Sequence, residues 1–388
     1  MERIGIFGGM FDPPHIGHVR MAAFAITQLD LDMLYVIPDH TALSDEKIGF
    51  ATPEDRLEMT RIAFAGMERV TVSDLSVAEG KISYTCDMVE RVAKIHPEAE
   101  IFLLMGGDKL QSLPKWRGFE ALKNRVTFAI AWRGLKGESK GLDALNQTGA
   151  RVKLLENPVL QLSSGDVRRL LLFRCAHAFL PERVEAYIDA NHLYGVWEDY
   201  KDLPMERLEQ IVISLLKKRR INHVLGCRDA AMELAKIWGV DETDAARAGL
   251  LHDVTKALDG PLQLTICAEY GTILDDFSKE NPKTLHAFTG SLVARDVFGE
   301  NEAVVSAIRS HTTGKGGMNT LEKIIYVADY MEPNRDFPGV EELRRLAYTD
   351  LDAALRMGLQ MTLDHLHQQG ADISPATRDA LQYMNMTV

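Results

Sequence analysis

The stretch GGMFDPPHIGH, residues 8–18, decides the fold of the first half of this 388-residue chain. It follows an apolar run at 3–7 and precedes an amphipathic segment, so the chain passes from a strand through a glycine turn into a helix. Glycines let the backbone approach a polyphosphate closely, and the amide groups of a helix N-terminus attract anions. His15 and His18 stand three residues apart at the start of that helix. Both rings can therefore face one bound group and stabilise charge on its phosphate oxygens.

The pattern around this stretch decides between two interpretations of the histidines. An isolated pair with this spacing usually only caps a helix or contacts solvent. Here, further apolar or β-branched runs follow at 33–38, 70–74, 101–105, 126–131 and 152–155, separated by amphipathic stretches. Strands that alternate with helices in this way predict an α/β fold, a doubly wound parallel sheet, closed by a helix at 181–192. In such a sheet, the first strand–helix turn is a ligand-binding position.

The second half of the chain has a different pattern. A charged segment with a proline, 198–205, suits a linker. Beyond it, apolar residues recur at helical spacing in 208–216, 224–237, 245–251, 285–297, 321–330 and 351–366, without a convincing strand. We therefore predict an α/β domain at 1–197 and an all-α domain at 206–388.

The composition is that of a globular protein, with 46% hydrophobic and 26% charged residues. The four cysteines are far apart in apolar segments, which predicts reduced core residues. A net charge of -12 disfavours nucleic acid as a partner, because binding to its backbone needs a broad basic surface. We see no leader peptide and no apolar run of about 18 residues, so we expect a cytoplasmic protein that does not bind membranes. The oligomeric state is left open.

The string at 8–18 resembles the GGxFDPxHxGH signature of the nucleotidyltransferase superfamily that forms dinucleotide coenzymes. Residues 1–197 resemble bacterial nicotinate-nucleotide adenylyltransferases, the NadD family. The matching segments are SYTCD (83–87), MGGD (105–108), LPKW (113–116) and LSSGDVR (162–168). The resemblance implies a nucleotidyltransferase Rossmann-like fold. It also implies adenylyl transfer from ATP, carried with Mg²⁺, to nicotinate mononucleotide, giving deamido-NAD and pyrophosphate by direct in-line attack.

The resemblance also assigns roles to residues, with His15 and His18 as the catalytic pair. It places on the ATP side Gly8, Gly9, Phe11, His15, His18, Gly107, Asp108, Ser163, Ser164 and Arg168. It places on the mononucleotide side Thr85 and Trp116, and the indole can stack on the pyridine ring. A core position is the alternative for Trp116. Two serines before a helical run also suit an N-cap, with an arginine one turn inside that can reach the same anion.

Two positions depart from the NadD pattern. Met10 stands where that family usually has threonine, and PDHTAL at 38–43 replaces a Pro-Pro-His-Lys loop. His40 and Lys47 are then candidate phosphate contacts. These departures bear on the turnover rate more than on the reaction class.

A candidate metal-ligand set lies in the second half: His223, His252, Asp253, His286, His311 and Asp329. A His-Asp dipeptide alone is weak, since a chain with 12 histidines contains about one by chance. Here it ends the apolar run 248–251, and burial of an imidazole beside a carboxylate is costly unless both are paired or hold a metal. These donors suit a divalent transition metal. Unrelated core histidines are the alternative.

This series resembles HD-domain phosphohydrolases with two metals, and residues 206–370 resemble the YqeK-type HD proteins. The matching segments are GLLHDVTK (249–256), AIRSHTTG (307–314) and ADYMEPNRD (328–336). The resemblance implies symmetrical hydrolysis of diadenosine tetraphosphate to two ADP with two ions, iron or manganese. One ion would be held by His223, His252, Asp253 and Asp329, and the other by His286 and His311, with Asp253 bridging as the catalytic carboxylate.

Four other polar residues near these motifs have roles outside the ligand set. Lys256 and Arg335 are candidates for phosphate binding, although each can equally be a surface cation. His365 and His367 lie outside the ligand pattern and are expected to face solvent.

We expect a bifunctional enzyme whose ligands are ATP, nicotinate mononucleotide and diadenosine tetraphosphate. One alternative makes one half a catalytically silent nucleotide-binding module that regulates the other half. Another keeps both activities but changes the substrates, to a different pyridine or pantetheine mononucleotide in the first half and a different nucleotide in the second. The sequence does not separate nicotinate from nicotinamide mononucleotide, and it does not give the physiological metal or show whether the sites are coupled.

Overall fold

The structure is a computed structural model that describes residues 1–40, 51–77, 84–132, 137–156 and 161–386. The chain divides into two compact units, Met1–Trp197 and Glu198–Val388.

The first unit is built on a parallel sheet. Its described strands are β1 (Arg3–Gly9), β2 (Met33–Pro38), β3 (Val70–Val72), β4 (Glu100–Gly106), β5 (Val126–Ala131) and β6 (Arg151–Leu155). They lie in the order β3-β2-β1-β4-β5-β6, with every described pairing parallel. Helices cover a parallel sheet on both faces, so its central strands are nearly continuous apolar runs, and Ile4 and Ile6 of β1 are fully buried. The predicted doubly wound sheet is confirmed.

The helices of the first unit connect these strands. They are α1 (Ile16–Gln28), α2 (Pro53–Phe64), α3 (Thr85–Ile95), α4 (Phe119–Arg125), α5 (Glu138–Gln147), α6 (Ser164–Leu172) and α7 (Glu182–Ala190). Polar caps fix where several of them begin: Thr52 Oγ1 accepts the Asp55 amide of α2 at 3.1 Å. The strand order reverses between β1 and β4, so the carboxyl ends of these strands flank the crevice where such sheets bind ligands.

The described part of the second unit contains helices and no strand. The helices are α8 (Met205–Leu215), α9 (Ile221–Trp238), α10 (Glu242–Leu251), α11 (Gly260–Glu269), α12 (Asp276–Glu280), α13 (Leu285–Asp296), α14 (Glu302–Ser310), α15 (Thr320–Met331), α16 (Val340–Thr349), α17 (Leu351–Gln368) and α18 (Pro375–Met386). The predicted all-α fold is confirmed. Asn319 and Glu322 form a capping box at the start of α15, which fixes the register of the helix that carries Asp329.

The cysteines and the apolar segments agree with a globular interior. Cys175, Cys227 and Cys267 are buried free thiols, and Cys86 is half-buried. Among the described residues, no helix is long and apolar enough to cross a membrane.

Candidate functional site

The two histidines of the first motif cap α1. His15 Nδ1 accepts the Gly17 amide at 3.1 Å, and His18 Nδ1 accepts the His15 amide at 3.2 Å. A backbone N–H only donates, so both Nδ1 atoms are unprotonated and each ring carries its proton on Nε2. The ring centroids are 3.8 Å apart. Capping and ligand binding are therefore not exclusive here, because the caps fix both rings as Nε2–H donors.

The residues before these histidines form a buried turn. Phe11 is only 2% exposed, and its ring packs edge-on against His18 with centroids 5.0 Å apart. Its φ of 48° lies in the left-handed region that few residues other than glycine adopt. Phe11 was assigned to the ATP side, and the structure gives it a buried position that orients the His18 ring.

The N-terminus of α6 lies against this turn. Ser164 Oγ donates to the Pro13 carbonyl at 2.9 Å, and the Arg168 guanidinium donates to the Asp12 carbonyl. Ser163 caps the helix, because its Oγ accepts the Asp166 amide at 3.2 Å. The serine-rich segment and the first motif thus lie together although about 150 residues separate them.

Sequence reasoning missed Arg56, which joins the two loops at the ends of β1 and β2. Its guanidinium is buried and donates to the carbonyls of Met10, Asp39 and His40 at 2.9, 2.7 and 2.9 Å. Burial lowers the pKa of Arg56 and raises the pKa of Asp39 to about 6, while the attraction between the two groups opposes both shifts. In the sequence, Arg56 is one of several charges on an amphipathic helix, so nothing singled it out.

Asp12 is a second anchor whose partners were missed. Its Oδ1 accepts the Tyr194 hydroxyl at 2.6 Å and the Ala51 amide at 3.1 Å, and its Oδ2 lies 3.6 Å from Arg168 Nη1. Burial raises the pKa of Asp12, although Tyr194 and Arg168 oppose that shift. Burial and the Asp12 charge raise the pKa of Tyr194 well above its usual value, so the phenol stays a donor.

The glycines predicted on the ATP side lie where backbone and side chains approach closely. Gly8 and Gly9 end β1, and Gly107 begins a short turn, Gly107–Lys109, directly after β4. A Cβ at Gly107 would lie 2.4 Å from Glu138 Oε1, so any side chain at this position would displace the buried Glu138 carboxylate of α5. Asp108 is in the same turn, with Oδ2 3.3 Å from Lys109 Nζ.

Thr85 and Trp116 lie on neighbouring segments. Thr85 is the first residue of α3, and the guanidinium of Arg117 lies 4.4 Å from the ring centroid of Tyr84, the residue before that helix. A Cβ at Gly118 would lie 2.8 Å from the Cβ of Cys86. The loop that carries Trp116 therefore contacts the start of α3.

Trp116 combines both of its proposed positions. Its ring is half-buried and packs against the core cluster beside the sheet, while its Nε1 donates to Ser112 Oγ at 3.3 Å. The exposed part of the side chain is accessible to a ligand. Lys47 lies outside the described residues.

The second unit brings the six predicted metal ligands to one place. His223 is on α9, His252 and Asp253 follow α10, His286 is on α13, His311 follows α14 and Asp329 is on α15. All but Asp329 are buried.

Asp253 lies between two histidine pairs. Its Oδ2 is 3.8 Å from His223 Nε2 and 3.6 Å from His252 Nε2. Its Oδ1 is 3.4 Å from His286 Nε2 and 3.8 Å from His311 Nε2. One carboxylate thus presents a different oxygen to each pair, which is the arrangement of a bridging ligand.

Within each group the ligand atoms are close together. His223 Nε2 lies 3.1 Å from Asp329 Oδ1 and 3.3 Å from His252 Nε2. In the other group, His286 Nε2 lies 3.2 Å from His311 Nε2. Burial lowers the pKa of His252 well below its usual value and that of His311 to about 4, so both rings are neutral. Neutral imidazole is the form that ligates a metal.

Each ring is oriented through its other nitrogen. His223 Nδ1 donates to the Glu332 carboxylate at 3.1 Å. The Nδ1 atoms of the other three rings donate to backbone carbonyls: His252 to Gly249 at 2.7 Å, His286 to Lys283 at 2.9 Å and His311 to Ile308 at 2.7 Å. The Nε2 atom of each ring therefore faces Asp253, on the side opposite to this orienting bond, as in protein metal sites. This donor set fits two divalent ions.

Glu332 was not predicted to have a role, although it lies within the quoted segment 328–336. It is 1% exposed, and its Oε2 accepts the Asn334 amide at 2.7 Å. Of the four ligand rings, only that of His223 is held by a carboxylate. A carboxylate partner makes an imidazole a stronger donor to a metal.

Three cations surround this cluster. Arg220, which was not predicted, pairs with Asp253 Oδ2. Lys256 Nζ lies 2.8 Å from His286 Nε2, and Arg335 Nη2 lies 2.5 Å from Asp329 Oδ1. His365 and His367 are exposed and outside the cluster.

The fold and both sites define a nucleotidyltransferase-type domain followed by a helical metal-hydrolase domain. Residues 6–170 match the family described as Cytidylyltransferase-like, and residues 220–334 match the HD domain. The chain is 30% identical to "Probable nicotinate-nucleotide adenylyltransferase/Ap4A hydrolase" of Mycoplasma pneumoniae over 92% of this chain and 97% of that protein. The chain belongs to this family of nicotinate-nucleotide adenylyltransferase/Ap4A hydrolase proteins, which confirms the predicted resemblance.

Each half also matches separate proteins. The "Probable nicotinate-nucleotide adenylyltransferase" of Shouchella clausii is 35% identical and aligns with 50% of this chain and 98% of its own length. The "Bis(5'-nucleosyl)-tetraphosphatase, symmetrical" of Halalkalibacterium halodurans is 40% identical and aligns with 43% of this chain and 90% of its own length.

Proposed function

We propose that the chain is a bifunctional enzyme. Its first unit transfers the adenylyl group of ATP to nicotinate mononucleotide, and its second unit hydrolyses diadenosine tetraphosphate to two ADP. The pair of fixed Nε2–H donors at His15 and His18 carries the first assignment. The second assignment rests on Asp253, whose two carboxylate oxygens each face a different pair of histidines.

In the first reaction, a phosphate oxygen of the mononucleotide attacks the α-phosphorus of ATP in line, and pyrophosphate leaves. The Nε2–H groups of His15 and His18 donate to α-phosphate oxygens, where negative charge develops. Ser163, Ser164 and Arg168, at the N-terminus of α6, bind the departing phosphates, since a helix N-terminus favours anions. Mg²⁺ bound to the triphosphate would neutralise part of the phosphate charge. No side chain forms a covalent bond.

The pyridine ring is assigned to the surface between Thr85 and Trp116. The accessible part of the indole offers a face for stacking. Arg117 beside Tyr84 adds a cation to this neighbourhood, which supports the negatively charged nicotinate over the neutral nicotinamide.

In the second unit, the chain's residues fit a pair of divalent transition metals, for which we propose iron or manganese. His223, His252, Asp253 and Asp329 would hold one ion, and His286, His311 and Asp253 the other. When bound, such a pair supplies Lewis-acid activation of water and of the phosphoryl group. Lys256 is free to pair with a substrate phosphate once His286 is a ligand. Arg335 positions Asp329 through donation to its Oδ1 and, at 2.8 Å, to its carbonyl.

An activity panel on the full chain tests both assignments. We expect Mg-ATP with nicotinate mononucleotide to give dinucleotide and pyrophosphate faster than with nicotinamide mononucleotide. We expect diadenosine tetraphosphate with Fe²⁺ or Mn²⁺ to give ADP as the sole product. His18→Ala should silence the first reaction alone, and Asp253→Ala the second alone. If no mononucleotide is adenylylated while the hydrolase is active, the first unit is a regulatory nucleotide-binding module instead.

A further inference from the structure

A cationic cavity lies beside the candidate metal ligands of the second unit. Its volume is about 360 Å³, and it is lined by Leu216, Lys217, Arg219, Arg220, Lys256 and Ala257. Its inner wall is formed by Arg220 and Lys256, which also contact Asp253 and His286. The cavity therefore adjoins the ligand set directly.

The charge of this cavity contrasts with that of the whole chain. Four of its six lining residues are cationic, whereas the chain has a net charge of -12. Three of them come from the run KKRR at 217–220, which forms the turn Lys218–Arg220 before α9. Only the exposed Lys218 of that run is not part of the lining. Such a wall selects an anion that is large enough to contact several cations at once.

The charged side chains around the ligand set indicate how much negative charge a ligand of this site carries. The carboxylates of Asp253, Asp329 and Glu332 are matched by the cations of Arg220, Lys256 and Arg335. Two bound dications therefore leave a surplus of four positive charges. A bridged tetraphosphate carries about four negative charges near neutral pH. Lys217 and Arg219 extend the positive surface beyond this balance.

We propose that this cavity is the polyphosphate subsite for the nucleoside diphosphate that leaves the second unit. The inference rests on the proposed hydrolase function and assigns its leaving-group site. A water oxygen bonds to one central phosphorus atom while the bond from that phosphorus to the bridging oxygen breaks. The bridging oxygen departs with the second diphosphate, and the water's protons go to solvent. Arg220 and Lys256 stabilise the charge on the departing oxygen, and Lys217 and Arg219 hold the phosphates beyond it.

Binding of ADP to the metal-loaded full chain tests the subsite. The double variant Lys217→Ala/Arg219→Ala should bind ADP about tenfold more weakly by calorimetry, because each exposed ion pair contributes about threefold. Its KM for diadenosine tetraphosphate should rise by a similar factor. Lys218→Ala removes the same charge from the same turn and should change ADP affinity by less than about twofold. Metal content and thermal unfolding should match the wild type in both variants, since these side chains are exposed.

Two results would overturn the subsite. One is unchanged ADP affinity in the double variant, and the other is an equal loss in Lys218→Ala, which would indicate diffuse charge attraction. Failure of the hydrolase assignment looks different. In that case the wild type leaves diadenosine tetraphosphate intact, yet it still binds ADP with the expected dependence on Lys217 and Arg219.

Discussion

Replacement of His18 by alanine can distinguish the role of this residue as a catalytic hydrogen-bond donor from its role as a helix cap. The side chain has two roles in the structure, since its Nδ1 accepts the His15 amide at 3.2 Å and its Nε2–H is a donor. Loss of one donor to a developing oxyanion costs about 2.7–4 kcal/mol at the transition state, which lowers kcat by a factor of about 100 to 1000. Loss of a cap costs about 1 kcal/mol of folding stability. A domain stabilised by about 5–15 kcal/mol remains folded after that loss.

Steady-state pyrophosphate release with Mg-ATP and nicotinate mononucleotide measures the catalytic effect, and calorimetry and thermal unfolding measure the rest. We expect kcat to fall by at least about 100-fold, with a much smaller change in mononucleotide affinity. Thr52→Ala is the matched control, because it removes a cap bond of 3.1 Å from α2 in the same unit. The reasoning is refuted if His18→Ala keeps kcat within about threefold of wild type. It is equally refuted if Thr52→Ala loses as much activity as His18→Ala does.

Further predictions concern the ring-binding loop and the metal ligands. Trp116→Ala should weaken nicotinate mononucleotide binding more than ATP binding, measured by calorimetry, and equal losses would make the indole a packing element. Asp253→Ala should remove both ions, measured by elemental analysis, and abolish diadenosine tetraphosphate hydrolysis, whereas His365→Ala should change neither; retained metal in Asp253→Ala would contradict the bridge. Glu332→Gln should weaken binding of the ion assigned to His223 by about 10-fold to 100-fold in a chelator competition, because only His223 depends on that carboxylate. Binding of the ion assigned to His286 and His311 should not change. Equal weakening of both would contradict the prediction.

The sheet could be predicted closely because its strands are buried on both faces. The runs expected at 33–38 and 126–131 are β2 and β5 as observed, and β1 and β4 extend their predicted runs by two residues or fewer at either end. The run at 70–74 was too long, since β3 is an edge strand that ends at Val72. None of the three residues of β3 is fully buried, and the strand ends where its pairing with β2 ends, which an apolar pattern does not mark.

Several helices escaped prediction for a different reason. Helix α11 has apolar residues all around its circumference, so it shows no clear apolar stripe. Helix α16 does bury such a stripe, Val340, Leu343 and Ala347, and was not predicted although the pattern is present. Helices α12 and α14 are short, with five and nine residues. These helices are held by their packing in the unit, which a one-dimensional pattern does not display.

The residues of the two candidate sites also fall into a predicted group and an unpredicted group. Motif residues with local signals, such as the paired histidines and the His-Asp dipeptide, were identified from the sequence. The supporting residues were not, because their partners are distant: Tyr194 bonds to Asp12 across 182 positions and Glu332 to His223 across 109. A half-buried tyrosine or a buried glutamate carries no mark of its partner in a single sequence.

The orientation of the four candidate ligand histidines bears on how the proposed metal centre assembles. His252, His286 and His311 each donate to a carbonyl three residues earlier, so the last or first turn of their own helix already aims each ring. These rings are preset by local chain geometry and need no remote contact. His223 is aimed only when α15 docks on α9, because Glu332 follows the end of α15. In the proposed two-ion site, an assembly intermediate that lacks this docking would bind the ion assigned to His286 and His311 but not the ion assigned to His223. Binding of the ion at His223 would therefore report completion of the helical core.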